Sequence, residues 1–144
     1  MRGCCLFIAM LCGSLLFGTA DAVGCYNTGQ WGLERHARCA IRQFLDDHAG
    51  FFVCPAFEVS DSYGKCKATR TSNEYKFVGN NGVRYHWNIE FQKLGKHCAL
   101  ITGSYMNSAY RQMSKKCRGD NSDTQGGIFE VGDNVRVVID PNAD

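Results

Sequence analysis

Val83-Arg84-Tyr85-His86-Trp87-Asn88-Ile89-Glu90-Phe91-Gln92 is the stretch that decides the fold. Apolar and polar residues alternate along it, and a period of two belongs to a strand with one buried face. Just upstream, Glu74-Tyr75-Lys76-Phe77 alternates in the same way, and Asn80-Asn81-Gly82 separates the two runs. The length of that loop sets the register. A three-residue loop pairs Phe77 with Tyr85 and Tyr75 with Trp87, which keeps the aromatic rings on one face. A two-residue turn would put Phe77 opposite His86 and mix the faces. The pattern therefore predicts a hairpin closed by three residues, with Gly82 left-handed.

Helical spacing flanks this hairpin. From about Trp31 to His48, the apolar residues Leu33, Ala37, Ala40, Ile41, Phe44 and Leu45 recur on one side, with Glu34, Arg35, Arg38 and Arg42 on the other. Asp47, His48 and Gly50 mark its end, with Gly50 available for a left-handed cap. A second helix is predicted from Ser104 to Lys116, carrying the stripe Met106, Ala109, Tyr110, Met113 and Cys117. Thr102 or Ser104 can cap it. Phe51 to Cys54 and Cys98 to Ile101 read as short strands. Ile128 to Val131 and Val135 to Ile139 form a last hairpin around Gly132-Asp133-Asn134. The order helix, strands, helix, hairpin predicts an α+β domain: an antiparallel sheet with two helices packed on one face and the other face wet. No repeat, low-complexity segment or linker interrupts it.

The first residues have the parts of a secretory signal: Arg2, an apolar run from Leu6 to Phe17, and the small-x-small site Ala20-Asp21-Ala22. Cleavage is expected after Ala22, with Ala20 as the other site, leaving residues 23–144 as one secreted domain. A retained anchor is the competing reading, but the run falls short of the ~20 apolar residues of a comfortable span. Of nine cysteines, Cys4, Cys5 and Cys12 would leave with the signal. Cys25, Cys39, Cys54, Cys66, Cys98 and Cys117 remain, an even count that predicts three disulfides of undetermined pairing. Cys39 falls inside the first helix, so one bridge should pin that helix to the sheet. No CxxC pair or His pair at ligand spacing suggests a metal, and no cofactor is implied. No Asn-x-Ser/Thr sequon is present.

Charge is unevenly distributed. Residues 61–118 hold eleven Lys/Arg against three Asp/Glu, and residues 119–144 one Arg against six acids. Solvated faces that attract each other would explain this, and so would a basic surface for a polyanion: nucleic acid, anionic lipid or acidic polysaccharide. Lys115, Lys116 and Arg118 are the candidate binding residues. They also sit where the negative end of the second helix's dipole attracts cations.

The hairpin register generates the one catalytic candidate. It puts Arg84, His86 and Glu90 on one sheet face with Lys76 opposite His86, the ingredients of general acid–base cleavage of a phosphodiester. Simple alternation on a wet face would produce the same set. Glu90 is also four residues from His86 along the strand, about 13 Å, so the two cannot touch. This stretch resembles the secreted microbial ribonucleases of the guanyl-specific type, which place a helix before an antiparallel sheet bearing His, Glu and Arg. The helix expected at Ser104 to Lys116 departs from that fold. A second catalytic histidine would have to be His97, beside Cys98. His36 and His48 read as surface residues of the first helix.

A broader resemblance runs from Cys25-Tyr26-Asn27-Thr28-Gly29-Gln30-Trp31 through a Cys-bearing helix, a basic Cys-containing segment and a helix ending in Cys117. It continues through Gly126-Gly127-Ile128-Phe129 to Asp140-Pro141-Asn142. In this the chain resembles the small cysteine-rich proteins secreted by filamentous fungi, including effector-like and killer-toxin-like α/β sandwiches. The resemblance implies a non-enzymatic protein that binds a host or competitor molecule, and no catalytic residues. A ribonuclease-like enzyme using His86, Glu90, Arg84 and Lys76, and a cell-wall-associated structural protein, are the competing expectations. Trp31, in the loop before the first helix, either staples that loop to the core or serves a partner.

Overall fold

The computed structural model describes residues 23–55, 66–68, 70–120 and 122–143. The expected signal at residues 1–22 lies outside the described residues, and so does the side chain of Cys66. In chain order the elements are β1 (Gly24–Cys25), β2 (Gly32–Leu33), α1 (Glu34–His48), β3 (Phe52–Val53), β4 (Cys66–Ala68), β5 (Arg70–Val78) and β6 (Arg84–Lys93). β7 (Ala99–Leu100), α2 (Gly103–Lys116), β8 (Asp123–Thr124), β9 (Gly127–Val131) and β10 (Val135–Ala143) follow.

The hairpin forms in the register that the alternation requires. Phe77 pairs with Tyr85, Tyr75 with Trp87 and Lys76 with His86. Gly79 N–H donates to Val83 O at 2.8 Å across the Asn80-Asn81-Gly82 loop, and Gly82 takes φ +76°, a conformation that costs glycine little. Around this hairpin grows a five-stranded antiparallel sheet in the order β1-β9-β10-β6-β5. β10 runs the length of β6, from Val135 opposite Lys93 to Ala143 opposite Tyr85. Two smaller sheets, β2-β8 and β4-β3-β7, tie down the loops.

Alternate residues of the large sheet build the core. Tyr85, Trp87, Ile89 and Phe91 of β6 join Val135, Val137 and Ile139 of β10 and Phe129 of β9. The same cluster holds Ala37, Ala40, Ile41 and Phe44 of α1 with Met106, Ala109 and Met113 of α2. Each large side chain buried there contributes roughly 1.5–3 kcal/mol. The described residues thus make an α+β fold, with two helices, antiparallel sheets and disulfides. α1 begins at Glu34, three residues later than its apolar periodicity suggested, because Gly32 and Leu33 are drawn into pairing with Thr124 and Asp123. Thr102 occupies the N-cap of α2, but its side chain makes no capping hydrogen bond.

A buried carboxylate joins the two helices. Glu34 Oε1 accepts from Tyr110 Oη at 2.9 Å and from Ser114 Oγ, and Arg118 Nε lies 3.4 Å from Glu34 Oε2. At the far end of α1, Tyr75 Oη donates to Asp47 at 2.8 Å. Burial, with help from Asp47, pushes the Tyr75 phenol up to about 12.

Among the described residues two disulfides staple this arrangement, Cys25–Cys117 and Cys54–Cys98. The bridge expected at Cys39 is a correction: Cys39 is a free thiol on the exposed side of α1. Its position explains this. The core side of the helix is held by Ala37, Ala40, Ile41 and Phe44. At 3.6 residues per turn, Cys39 falls about 200° round from Ala37, turned away from the sheet. Alkylation of the native protein without reductant should therefore label Cys39 and spare Cys25, Cys54, Cys98 and Cys117. Protection of Cys39 would contradict the pairing. Removing either bridge should cost about 2–4 kcal/mol of stability in denaturant titrations. Cys25–Cys117 spans 92 residues against 44, so its loss should cost about 0.6 kcal/mol more by loop entropy.

Candidate functional site

Arg84, His86, Glu90 and Lys76 do share a sheet face, the one opposite Trp87. Across the strands, Lys76 and Asn142 flank His86, while Ser72 and Val138 flank Glu90. His86 and Glu90 are not brought together: Asn88 lies between them, itself flanked by Glu74 and Asp140. Each finds another partner. His86 Nε2 sits 3.6 Å from Glu74 Oε1, and Glu90 Oε1 lies 3.9 Å from Arg70 Nη1. Arg84 and Lys76 are exposed at the rim.

Two residues join this face that alternation along β6 could not supply. Asp140 sits diagonally across from His86, with Asn142 Nδ2 donating to its Oδ2 at 3.2 Å. Burial raises its pKa, against the opposing pull of Asn142 and the His86 charge. Burial also raises the Tyr26 phenol, aided by the Asp140 and Glu90 charges. The signal for Asp140 was present in the chain, since counting along β10 from its hairpin gives it the parity of Arg136. The signal for Tyr26 was not, because its outward turn follows from the Cys25–Cys117 pairing, which the sequence leaves open. The acid and base groups of this face meet cross-strand partners, not a shared reacting position.

The remaining histidines lie elsewhere. His97 has φ +66° in the loop after β6 and lines a cleft with Lys93, Tyr105 and Asp133. Seven residues of β6 separate Lys93 from His86, about 24 Å of strand. His97 is therefore no second catalytic group for His86. His48 packs against Phe44, ring centroids 4.7 Å apart. His36, expected at the surface, stacks on Phe77 with centroids 4.7 Å apart and planes 14° apart. The cause is Tyr85: its Oη lies 2.6 Å from His36 Nδ1 and accepts from Leu33 N–H at 3.1 Å. With the Leu33 amide on one lone pair, the hydroxyl can donate to Nδ1 or accept from it, so the bond forms with either tautomer of the imidazole.

The basic triad is also split. Lys115 and Lys116 are exposed in the last turn of α2. The Arg118 side chain is exposed but tied to its own fold, by Glu34 and by Ser122 Oγ at 2.8 Å. A different set of cations converges instead. Arg38, Arg42 and Arg111 line a groove of about 490 Å³ between α1 and α2, with Ile41, Leu45, Asn107 and Tyr110. The Arg38 guanidinium stands 5.1 Å above the Tyr110 ring. Among the described residues no carboxylate lines this groove. The sequence placed Arg38 and Arg42 on the polar side of the first helix without showing that Arg111 of the second meets them.

His36 gives the pH behaviour a sign. Burial lowers its pKa, with the Arg35 charge acting the same way. The unfolded chain, near 6.5, takes up a proton that the folded ring resists. Its contribution to stability is therefore complete above about pH 6.5 and is lost as pH falls below it. His36→Asn keeps an acceptor for Tyr85 but cannot titrate. It should be less stable than the native protein at pH 7.5, with the gap narrowing at pH 5.5 in urea titrations. Equal slopes for the two proteins would contradict the assignment. No protein-family model, curated protein or solved structure matches this chain.

Proposed function

We propose that the chain is a secreted protein of the effector-like or killer-toxin-like kind, acting by binding a host or competitor molecule and not by catalysis. In this reading both helices lie on one face of the sheet, and the groove between them opens outward as the binding surface. The observation that carries the proposal is the convergence of Arg38, Arg42 and Arg111 on one groove with no carboxylate of the described residues in its lining. Guanidinium groups match phosphate, sulfate and carboxylate oxygens in a forked geometry that lysines lack. With Tyr110 beneath Arg38 and Asn107 alongside, the lining suits a linear polyanion. A recessed groove accepts a strand better than it accepts a flat bilayer. Among the described residues no helix is long and apolar enough to cross a membrane. Two disulfides are compatible with an extracellular life.

The test uses two probes, a single-stranded RNA 12-mer and a sulfated oligosaccharide, titrated across a salt series. The native protein should bind at low salt and lose affinity as salt rises, through counterion release. Replacing Arg38, Arg42 and Arg111 together by Gln should weaken binding at least tenfold. On RNA it should lower the log–log salt slope by about 2, since each neutralised phosphate of a single strand contributes roughly 0.7. Lys115→Gln with Lys116→Gln should have the smaller effect, and the RNA should remain uncut throughout. Failure to bind either probe at 50 mM salt would sink the proposal. RNA cleavage abolished by His86→Ala would transfer the function to the sheet face.

A further inference from the structure

A second concavity lies at the N-terminal end of α1, between the tip of the β5–β6 hairpin and the segment entering the helix. Its volume is about 310 Å³, and Trp31, Gln30, Asn80, Asn81, Val83 and Asp123 contribute to its walls. Trp31 is 47% exposed there, in a protein whose other tryptophan, Trp87, is fully buried. A ring that served only to staple the loop would have its face against the core. This indole is braced from behind instead. A Cβ on Gly119 would fall 2.6 Å from Trp31 Cζ3, so the ring edge rests on bare backbone. Gln30 Nε2 donates to Trp31 O at 2.7 Å, fixing the adjacent main chain.

The polar groups around the indole are half-satisfied in a consistent way. Asn80 Oδ1 accepts from Arg35 Nη2 at 3.0 Å, and Asn81 Oδ1 accepts from Val83 N–H at 3.1 Å. Each oxygen is engaged and each Nδ2 remains to donate. Gln30 is the reverse, with its nitrogen engaged and its oxygen remaining to accept, and the Asp123 carboxylate adds further acceptors. The asparagine oxygens are held by Arg35 and by backbone, so the donors present a set direction. Donors and acceptors thus surround an exposed, immobilised aromatic ring. An anion would meet Asp123, and a purely apolar partner would strand four polar side chains. A pyranose ring satisfies both parts of the wall. Its C–H face can lie on the indole, and its hydroxyls both donate and accept.

We infer that this cleft is a saccharide-binding subsite, taking a neutral sugar residue of a glycan chain face-on to Trp31. It stands apart from the arginine groove and does not depend on it. A pocket of this size, with one aromatic platform and a few oriented polar groups, fits a small ligand or one unit of a polymer.

The ¹⁵N-labelled protein would be titrated with three neutral β-linked hexamers, of N-acetylglucosamine, of 1,4-linked glucose and of 1,3-linked glucose. At least one should shift the Trp31 indole N–H and the Asn80 and Asn81 side-chain amide signals, with Trp87 unmoved. Trp31→Ala should weaken that binding at least tenfold, and Trp31→Phe should restore part of it. Asn80→Asp keeps the oxygen that Arg35 needs but removes the donor, so affinity should fall severalfold with the fold intact. Lys96→Gln, exposed beyond the far end of β6 from the hairpin tip, should leave that binding unchanged. The inference is overturned if none of the hexamers moves these signals at millimolar concentration, if the shifts centre elsewhere, or if Trp31→Ala and Asn80→Asp bind as tightly as the native protein.

Discussion

The pairing of Phe77 with Tyr85 and of Tyr75 with Trp87 is the constraint on which the rest of the molecule depends. From Tyr85 to Phe91 it gives one side of β6 to aromatic and aliphatic packing, and both helices draw their buried residues into that cluster. Tyr85 then does more than fill space. Its hydroxyl takes the N–H of Leu33 and reaches His36, while Phe77 stacks on the same imidazole. The hairpin thereby sets where α1 begins and how it lies. Sliding the register by one residue would exchange Tyr85 and Trp87 for charged neighbours and remove the seat of the helix.

The same register decides what the open side of the sheet presents. His86, Glu90, Arg84 and Lys76 are there because the aromatic residues are not. Asp140 and Tyr26 arrive because β10 and β1 extend the sheet with the same parity. Charges are matched across strands, with Glu74 near His86, Arg70 near Glu90 and Glu130 paired to Arg136 at 3.1 Å. Such cross-strand pairs add modestly to sheet stability. They also give His86 and Glu90 separate partners in place of each other.

Local pattern made part of this legible. The three-residue loop, both hairpins, both helices and the shared face of His86 follow from periodicity and turn chemistry acting within about twenty residues. What escaped depends on contacts between distant segments. His36 looked polar and exposed until Phe77 and Tyr85 arrived from some forty residues away. Arg118 looked available until Glu34 came round to meet it, and Glu34 itself looked like ordinary helix polarity. Cys39 counted towards an even total, yet helical geometry turns it outward; its angle was readable, but cysteine arithmetic outweighed it. The arginine groove and the Trp31 cleft arise between elements, where one-dimensional pattern carries no signal.

Position along α1 organises the two concavities. Arg35 reaches Asn80 at the cleft, while Arg38 and Arg42, further along, line the groove towards α2. Neither would exist with the hairpin in another register, since Asn80 and the helix seat would both move. Cross-strand contacts between β5 and β6 in a solution NMR spectrum are therefore the most direct measurement of the account. Backbone contacts should link Lys76 with His86 and Glu74 with Asn88, leaving Phe77 opposite Tyr85. Contacts placing Phe77 opposite His86 would mean a two-residue turn, and would contradict the core, the seat of α1 and both proposed sites together.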